Sequence, residues 1–184
     1  MSDVVVVDYG AGNTRSVRAA LTHLGHTSLV SGDPRDIVNA EFLILPGVGS
    51  ARSAMEHMTV TGAVSALRAR FDEGKPMLGI CLGMQLAMES SEEDGGVEGL
   101  GLLEGHVRRL TTERVPRLGW AIVEPWGEAY YFAHSYACES SDAIATSDSI
   151  TVAVQHGSFL GVQFHPEKSG DAGLSFLDQC LSRA

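Results

Sequence analysis

The first half of the chain alternates short apolar runs with segments of helical periodicity. Apolar runs of four or five residues occupy positions 4–7, 42–45 and 76–80. A strand that is apolar on both faces is typical of a parallel sheet that is covered by helices on each side. Between the runs, apolar residues recur every three or four positions, as expected of helices. The positions in the two clearest helical patterns are Val17, Leu21, Leu24 and Val60, Val64, Leu67, Phe71.

The second half of the chain is richer in strand patterns. Four apolar segments are separated by short turns, and an amphipathic helix follows them at the end. We expect the strands at residues 120–123, 129–133, 151–155 and 159–164, and the helix along Leu174, Leu177 and Leu181. The two halves together predict an α/β fold with a mostly parallel central sheet and an additional antiparallel portion in the C-terminal half. Because there is no internal repeat or linker, we expect residues 1–184 to form a single domain.

Composition and charge narrow the class of protein. The 184 residues include 13 Lys and Arg against 23 Asp and Glu, which gives a formal net charge of −10, and 44% of them are hydrophobic. The acidic balance argues against a nucleic-acid partner, and no apolar run approaches the roughly 18–20 residues that cross a bilayer. The start, Met1-Ser2-Asp3, lacks the cationic region of a signal peptide, and three scattered cysteines suit a reducing compartment. We therefore expect a cytoplasmic protein.

A candidate nucleophile lies where the third apolar run meets a helical pattern. The segment Gly79-Ile80-Cys81-Leu82-Gly83 has the spacing G-x-C-x-G, the cysteine counterpart of the nucleophile elbow. The nucleophile of an elbow occupies a strained turn, and glycines two positions away leave room for the crowded backbone. The start of the following helix favours a thiolate and, through the Leu82 N–H, an oxyanion. The alternative interpretation is that Cys81 is a small buried side chain, as we expect for Cys180.

His165 is the candidate base. It follows an apolar strand in Gln163-Phe164-His165-Pro166-Glu167, and the carboxylate two residues later could orient its imidazole. A His-x-Glu triplet is common by chance, so it supports a catalytic role only in combination with the elbow. Together the two segments predict a triad of Cys81, His165 and Glu167. Because neither a Cys-x-x-Cys nor a His-Glu-x-x-His spacing is present, we expect no metal, and nothing suggests a cofactor.

With these two segments the chain resembles the class I, triad-type glutamine amidotransferases, a family with a flavodoxin-like three-layer fold. Further motifs are similar to those of the glutaminase subunits of imidazole glycerol phosphate synthases, and the likeness runs from about residue 3 to residue 182. The motifs that carry the closer likeness lie at residues 8–13, 46–49, 115–120, 131–136 and 163–169.

The resemblance implies a reaction and a set of site residues. Cys81 would attack the side-chain amide of L-glutamine and form a thioester, assisted by His165 and Glu167. Ammonia would then pass to a (β/α)8-barrel cyclase subunit in a heterodimer, which makes imidazole glycerol phosphate and aminoimidazole carboxamide ribotide in histidine biosynthesis. The residues implied for the oxyanion hole are Leu82, Val48, Gly47 and Gly49. For substrate binding, the resemblance implies that Gln85 and Glu93 hold the α-amino end of glutamine and that the backbone of Ser135 and Tyr136 holds its carboxylate.

Several departures leave alternatives open. Glu93 belongs to an acidic cluster that would by default be a solvated loop. Two interpretations of Glu93 therefore stay open, a solvated side chain and a substrate-binding side chain. The family usually has His and Asn where this chain has Arg117 and Ala121, in a region that resembles the partner-facing surface. These departures motivate a paralogue that supplies ammonia to another synthase, for example one that amidates a surface sugar. A third hypothesis is a non-catalytic regulator that binds glutamine, and the intact triad argues against it.

Overall fold

A seven-stranded sheet forms the centre of the computed structural model, which describes residues 4–10 and 12–182. The helices are α1 (Thr14–His23), α2 (Pro34–Asn39), α3 (Ala51–Thr61), α4 (Ala63–Asp72), α5 (Leu82–Leu86) and α6 (Gly170–Leu181). The strands are β1 (Val4–Val7), β2 (Ser28–Ser31), β3 (Phe42–Leu45), β4 (Met77–Ile80), β5 (Ser90–Ser91), β6 (Val97–Glu98), β7 (His106–Arg109), β8 (Arg117–Val123), β9 (Glu128–His134), β10 (Tyr136–Glu139), β11 (Ala143–Ser147), β12 (Ile150–His156) and β13 (Phe159–Val162).

The central sheet is mostly parallel. Its strand order is β11-β12-β13-β4-β3-β1-β2, in which the strands from β13 to β2 run parallel and β12 and β11 add antiparallel strands at one edge. Beside it lie a four-stranded sheet, in the order β10-β7-β5-β6, and a two-stranded antiparallel pair of β8 and β9, which we call the ribbon. The expected α/β fold with an antiparallel C-terminal portion is therefore confirmed.

Hydrophobic cores lie on both faces of the central sheet because its strands are apolar on both sides. Successive residues of β1 divide between the two cores, with Val5 and Val7 on one face and Val4 and Val6 on the other. Residues from α2 to α5 close the first core, and residues from α1, α6 and the ribbon close the second. The carboxyl ends of β1, β3, β4 and β13 meet at one edge of the sheet, where α/β proteins bind ligands.

The helix expected along residues 60–71 is wrong in its extent. The structure has two helices there, α3 and α4, which meet at Gly62. Gly62 adopts a φ of +79°, a left-handed conformation that ends α3. Because the break resets the helical phase, Val60 faces solvent with 88% of its surface exposed, whereas Leu67 is buried.

Candidate active site

Cys81 occupies a sharp turn between β4 and α5. Its φ of 48° and ψ of −103° lie in a region that side-chain-bearing residues rarely adopt. Its N–H donates to the Val162 carbonyl at 2.7 Å, and its carbonyl accepts the Gln85 N–H at 3.1 Å. The strained residue is thus held between the neighbouring strand and the first turn of α5, in the kind of turn that the G-x-C-x-G spacing predicts.

The two glycines of the motif are required by space. A Cβ on Gly79 would lie 2.7 Å from Phe159 Cζ and 2.8 Å from the Gly83 carbonyl group. A Cβ on Gly83 would lie 2.1 Å from the Leu45 carbonyl oxygen. Since the second contact is with backbone, an alanine at Gly83 could be accommodated only by moving α5 away from β3. The glycines therefore allow the elbow to sit directly against the strand ends.

His165 and Glu167 follow the end of β13, the strand next to β4. His165 Nδ1 and Glu167 Oε1 are 2.9 Å apart, and both side chains are 1% exposed. Asn13 Nδ2 donates to the same carboxylate oxygen at 3.2 Å. Because the carboxylate occupies Nδ1, the buried Nε2 is the ring nitrogen left for Cys81, and among the described residues it has no hydrogen-bond partner within the usual distance. Hydrogen bonds between catalytic groups are often loose before substrate binds and tighten in the complex.

The surroundings of His165 favour its protonated form. Burial lowers the pKa of His165, but interactions with Cys81 and Glu167 outweigh burial and raise the pKa to about 9. The neighbouring strands bring the two groups together, since the Cys81 N–H donates to the Val162 carbonyl, three residues before His165. At neutral pH an imidazolium therefore lies between the sulfur and the carboxylate, where it can give a proton to a leaving amine.

The loop after β3 packs against the elbow. A Cβ on Gly47 would lie 1.9 Å from the Ile80 carbonyl oxygen and 2.8 Å from Cys81 Cβ, so only glycine permits this approach. Gly49 has a φ of +131°, which also favours glycine. The structure thus brings the loop that contains Val48 to the nucleophile, and oxyanion binding by the Val48 N–H stays a prediction. The Leu82 N–H, expected to be the second donor, belongs to the first residue of α5.

Tyr9 anchors the start of the same loop. Its buried hydroxyl, at the end of β1, donates a hydrogen bond to the Pro46 carbonyl oxygen. Burial, with a smaller contribution from the nearby Cys81, raises the pKa of Tyr9 above its ordinary value, so the phenol remains a neutral donor. The loop is therefore fixed at its first residue, while its two glycines leave the following peptides free to rotate.

Two buried amides connect Cys81 to the segment after the ribbon. Gln85 Nε2 lies 3.0 Å from the Tyr136 carbonyl oxygen and 3.0 Å from Gln163 Oε1. Gln163 Nε2 in turn lies 3.4 Å from Cys81 Sγ. Because both N–H groups of Gln85 are used, its Oε1 is the atom that could accept from a substrate ammonium group, the role expected of it. Ser135 lies next to Tyr136, between β9 and β10.

Glu93 is half-buried rather than fully solvated. Its Oε2 accepts the Ala51 N–H at 3.2 Å, at the start of α3 and directly after the loop that follows β3. Burial raises the pKa of Glu93, the Ala51 hydrogen bond opposes this, and Asp94 adds to it. The structure thus brings Glu93 to the loop side of the site, and recognition of a substrate amino group by Glu93 stays a prediction.

The ribbon lies beside the site and exposes a row of large apolar side chains. The His165 N–H donates to the Tyr131 carbonyl of β9 at 2.9 Å, which joins the ribbon to the triad. On β8, Leu118, Trp120 and Ile122 alternate along the strand and are 65%, 59% and 56% exposed. An exposed apolar row of this kind is typical of an interaction surface.

Arg117, one of the two departures from the family pattern, ties the ribbon to the turn between β11 and β12. Its Nη2 lies 2.7 Å from both Ser147 Oγ and Asp148 Oδ2, and its guanidinium stacks on the Phe132 ring at 4.5 Å. The other departure, Ala121, is partly buried against the second core. The contacts of both residues lie outside the triad.

Three residues at the site have no role in the prediction from sequence: Tyr9, Asn13 and Gln163. Asn13 is the residue before α1, yet its side chain makes no capping hydrogen bond and reaches Glu167 instead. Asparagine before a helix is common, so the sequence carries no signal for this second role. Gln163 does carry a signal, because it is a polar residue inside an apolar run. In the structure it is completely buried.

Comparisons with known proteins agree with one another. The sequence model of the family "Glutamine amidotransferase class-I" matches residues 5–183. Imidazole glycerol phosphate synthase subunit HisH of Exiguobacterium sibiricum is 43% identical over 182 residues, which cover 96% of this chain and 93% of that protein. Imidazole glycerol phosphate synthase hisHF, chloroplastic, of Arabidopsis thaliana is 42% identical over 201 residues, which cover 98% of this chain and 34% of that protein.

A solved structure shares the fold. A crystal structure of a glutamine amidotransferase superposes with a TM-score of 0.80, and the match covers 98% of this chain and 99% of that chain. The two sequences are only 23% identical. The arrangement of layers around the central sheet is therefore common to both proteins.

Proposed function

This chain belongs to the class I glutamine amidotransferase family, and on that basis we propose that it is the glutaminase subunit of an imidazole glycerol phosphate synthase. In this role it hydrolyses glutamine and supplies ammonia for histidine biosynthesis. The observation that carries the proposal is the buried juxtaposition of the strained Cys81 with the His165–Glu167 pair, in a chain 43% identical to a HisH subunit over nearly its whole length.

In the first half of the proposed reaction a thioester forms. The Cys81 thiolate, beside the His165 imidazolium, adds to the side-chain carbonyl carbon of glutamine. The N–H groups of Leu82 and Val48 bind the oxyanion that results. The tetrahedral intermediate then collapses: the C–N bond breaks, and the nitrogen leaves as ammonia because it takes the proton from His165 Nε2.

In the second half water cleaves the thioester. The now neutral His165 Nε2 accepts a proton from water as the water oxygen adds to the thioester carbonyl. Collapse of this second intermediate breaks the C–S bond, releases glutamate and restores the Cys81 thiolate and the His165 imidazolium. Glu167 holds the Nδ1 proton throughout, and its own position is supported by the hydrogen bond from Asn13.

We further propose that the ammonia passes to a separate (β/α)8-barrel cyclase subunit in a heterodimer. The matched relatives are named as a HisH subunit and as a hisHF protein, and this chain covers only 34% of the latter. The apolar row of Leu118, Trp120 and Ile122 supports the proposal as the contact surface, because it lies on the ribbon that contacts the His165 backbone. Docking there would also set the orientation of the loop around Val48, so the isolated subunit should hydrolyse glutamine slowly.

The proposal extends to the organisation and location of the chain. We propose that residues 1–184 act as one domain in the cytoplasm. Among the described residues, no helix combines the length and apolar character needed to cross a membrane. Fractionation of the source cells, followed by an immunoblot for the chain, tests the location.

Coexpression with the cyclase subunit of the same genome tests the function. The complex should make imidazole glycerol phosphate from either glutamine or ammonium ions. Replacing the nucleophile by Cys81→Ala should lower glutamine-dependent synthesis by a factor on the order of 10³ or more, while ammonium-dependent synthesis continues. Appreciable glutamine hydrolysis by Cys81→Ala would show that another group is the nucleophile.

In the same experiment, Trp120→Ser tests binding of the cyclase subunit separately from hydrolysis of glutamine. Because the side chain is more than half exposed, the variant should unfold at the temperature of the unaltered protein but bind the cyclase subunit about tenfold or more weakly. Unchanged binding would place the contact surface elsewhere. If the chain hydrolysed glutamine only with a different synthase, the glutaminase assignment would stand and the assignment to histidine biosynthesis would be overturned.

A further inference from the structure

Gln163 is the described side chain whose amide N–H points at the nucleophile. It is fully buried in the segment between β13 and His165, and its Nε2 lies 3.4 Å from Cys81 Sγ. Sulfur accepts hydrogen bonds weakly as a thiol and better as a thiolate. A donor at this distance therefore favours the reactive form of Cys81.

A carbonyl on the protein backbone determines which way the Gln163 amide faces. The Tyr136 carbonyl oxygen can only accept hydrogen bonds, so the Gln85 atom that faces it at 3.0 Å is the nitrogen. The second N–H of Gln85 needs an acceptor, so the Gln163 atom that faces it at 3.0 Å is the oxygen. The nitrogen of Gln163 is then the atom directed at the sulfur.

The Tyr136 carbonyl that starts this chain of hydrogen bonds is itself well fixed. It also lies 2.8 Å from His134 Nδ1, which must donate to it. His134 is buried, and Gln85 is only 6% exposed, so water does not compete freely for these groups. Reversal of either amide would set two donors or two acceptors against each other, which is costly in a buried site.

We propose that Gln163 is a catalytic residue that stabilises the Cys81 thiolate by hydrogen bonding, and that Gln85 is a positioning residue that holds Gln163 in the donating orientation. The contact with sulfur is independent of the substrate, whereas the consequence for turnover rests on the proposed glutaminase function. Because Tyr136 belongs to the segment expected to bind glutamine, the same hydrogen bonds connect the substrate segment with the nucleophile.

Alkylation of Cys81 tests the contact directly. The rate of its reaction with iodoacetamide is followed from pH 5 to pH 10 by mass spectrometry of the Cys81 peptide, which separates it from the other two cysteines. In Gln163→Leu the reaction at pH 7 should be about tenfold slower, and the inflection of the pH profile should move upward, because a hydrogen bond to a charged group is lost. Gln163→Glu, which keeps the size of the side chain but removes the donor, should be slowed at least as much.

Gln85→Leu tests the orientation step. Gln85 does not contact the sulfur, yet its loss should slow alkylation by a factor of about three or more, because the Gln163 amide is then free to turn. Gln155→Leu, the same change at an exposed glutamine of β12, is the matched control and should leave the profile unchanged. Thermal unfolding of each variant identifies any that fail to fold.

Specific outcomes overturn each part of the proposal. A folded Gln163→Leu with an unchanged alkylation profile would show that Gln163 only fills space, and Gln163→Glu decides the question if the leucine variant does not fold. An unchanged profile in Gln85→Leu would remove the orientation step and leave the sulfur contact. These results hold even if the chain proves not to cleave glutamine. If it does cleave glutamine, Gln163→Leu should lower kcat with little change in KM, as expected for a group that acts on the reacting atom.

Discussion

The central sheet and the ribbon use apolar residues in opposite ways. In the sheet, all four residues of β1 and of β3 are buried, and helices of the same chain cover both faces. On β8 of the ribbon, three large apolar side chains alternate with smaller residues and remain more than half exposed. Burial of apolar surface is the main favourable contribution to folding, so the sheet side stabilises the fold and the exposed row contributes little to it.

The difference assigns separate tasks to the two sides of the proposed site. The sheet holds the strained Cys81 and the end of β13 in fixed positions, which requires a stable scaffold. The ribbon contacts His165 through its backbone and turns an uncovered apolar surface outward. The central sheet is therefore fully covered in the isolated chain, whereas the ribbon beside it keeps an apolar surface that suits a second protein. Three pairs of variants test this contrast, each with one member on either side.

Matched isoleucines give the largest expected effect. Ile44 of β3 is completely buried, whereas Ile122 of β8 is 56% exposed. Ile44→Ala should lower the free energy of unfolding by about 3–4 kcal/mol because it leaves a cavity in the second core, and Ile122→Ala should change it by less than about 0.5 kcal/mol. Urea denaturation of both variants measures the difference. If Ile44→Ala does not fold, Ile44→Val and Ile122→Val, which remove one methylene each, replace the pair.

Similar losses in the two variants would mean that the ribbon is part of the folding core and is not reserved for a partner. In the opposite case, the Ile122 variant should show its effect only when the cyclase subunit is present. Binding of that subunit, measured with each folded variant, then completes the comparison.

Two arginines give the next largest effect. Arg70 of α4 is fully buried on the sheet side, and its guanidinium donates to backbone carbonyls at the end of α2, before β3 and before β4. Burial lowers the pKa of Arg70 to about 10, so the side chain stays charged at neutral pH. Arg117 of the ribbon instead pairs with Asp148, whose side chain is 81% exposed.

Replacing both arginines by methionine compares these environments. Arg70→Met should cost about 3 kcal/mol of unfolding free energy, because several buried carbonyls lose their donor. Arg117→Met should cost about 1 kcal/mol, since only one hydrogen bond to Ser147, one stacking contact and an ion pair with the exposed Asp148 are lost. Equal costs in urea denaturation would contradict this view and would make Arg117 a structural support comparable to Arg70.

The same contrast explains which parts of the molecule could be predicted from the sequence. Strands β1, β3 and β4 are buried on both faces, so their apolar runs are continuous and easy to identify. Strand β2 escapes prediction because it lies at the sheet edge, where its residues are only partly buried. Val60 is wrongly included in a helical stripe because the pattern continues across Gly62, and the left-handed turn there is not visible in the spacing of apolar residues.

The candidate site divides in a similar way. Cys81 can be identified because the glycines around it indicate a close approach of backbone. His165 and Glu167 can be identified because they follow a strand at a short fixed spacing. Asn13 reaches Glu167 across 154 positions of sequence, and Gln163 reaches Cys81 across 82. Such contacts depend on how the elements pack, and a single polar residue in the sequence carries no record of its partner.

The smallest effect concerns two histidines that should respond to pH in opposite directions. On the sheet side, the pKa of His165 is about 9, because Cys81 and Glu167 outweigh the effect of burial. On the ribbon, burial lowers the pKa of His134 to about 4; the Tyr136 carbonyl opposes this, and Arg117 and His165 add to it. An unfolded histidine has a pKa of about 6.5.

These values give the sign of each contribution to stability. Between pH 6.5 and about 9 the folded protein binds more protons at His165 than the unfolded chain, so stability from this group is present below pH 6.5 and falls as the pH rises. Between about pH 4 and 6.5 the unfolded chain binds more protons at His134, so stability is lost as the pH falls. Urea denaturation of His165→Gln should therefore show a weaker decline above pH 6.5 than the unaltered protein, and His134→Gln a weaker decline below it, each by about 1 kcal/mol per pH unit within its window. NMR titration of the two imidazole rings checks the assignment, and equal slopes in variant and unaltered protein would remove the proposed imidazolium from the sheet side.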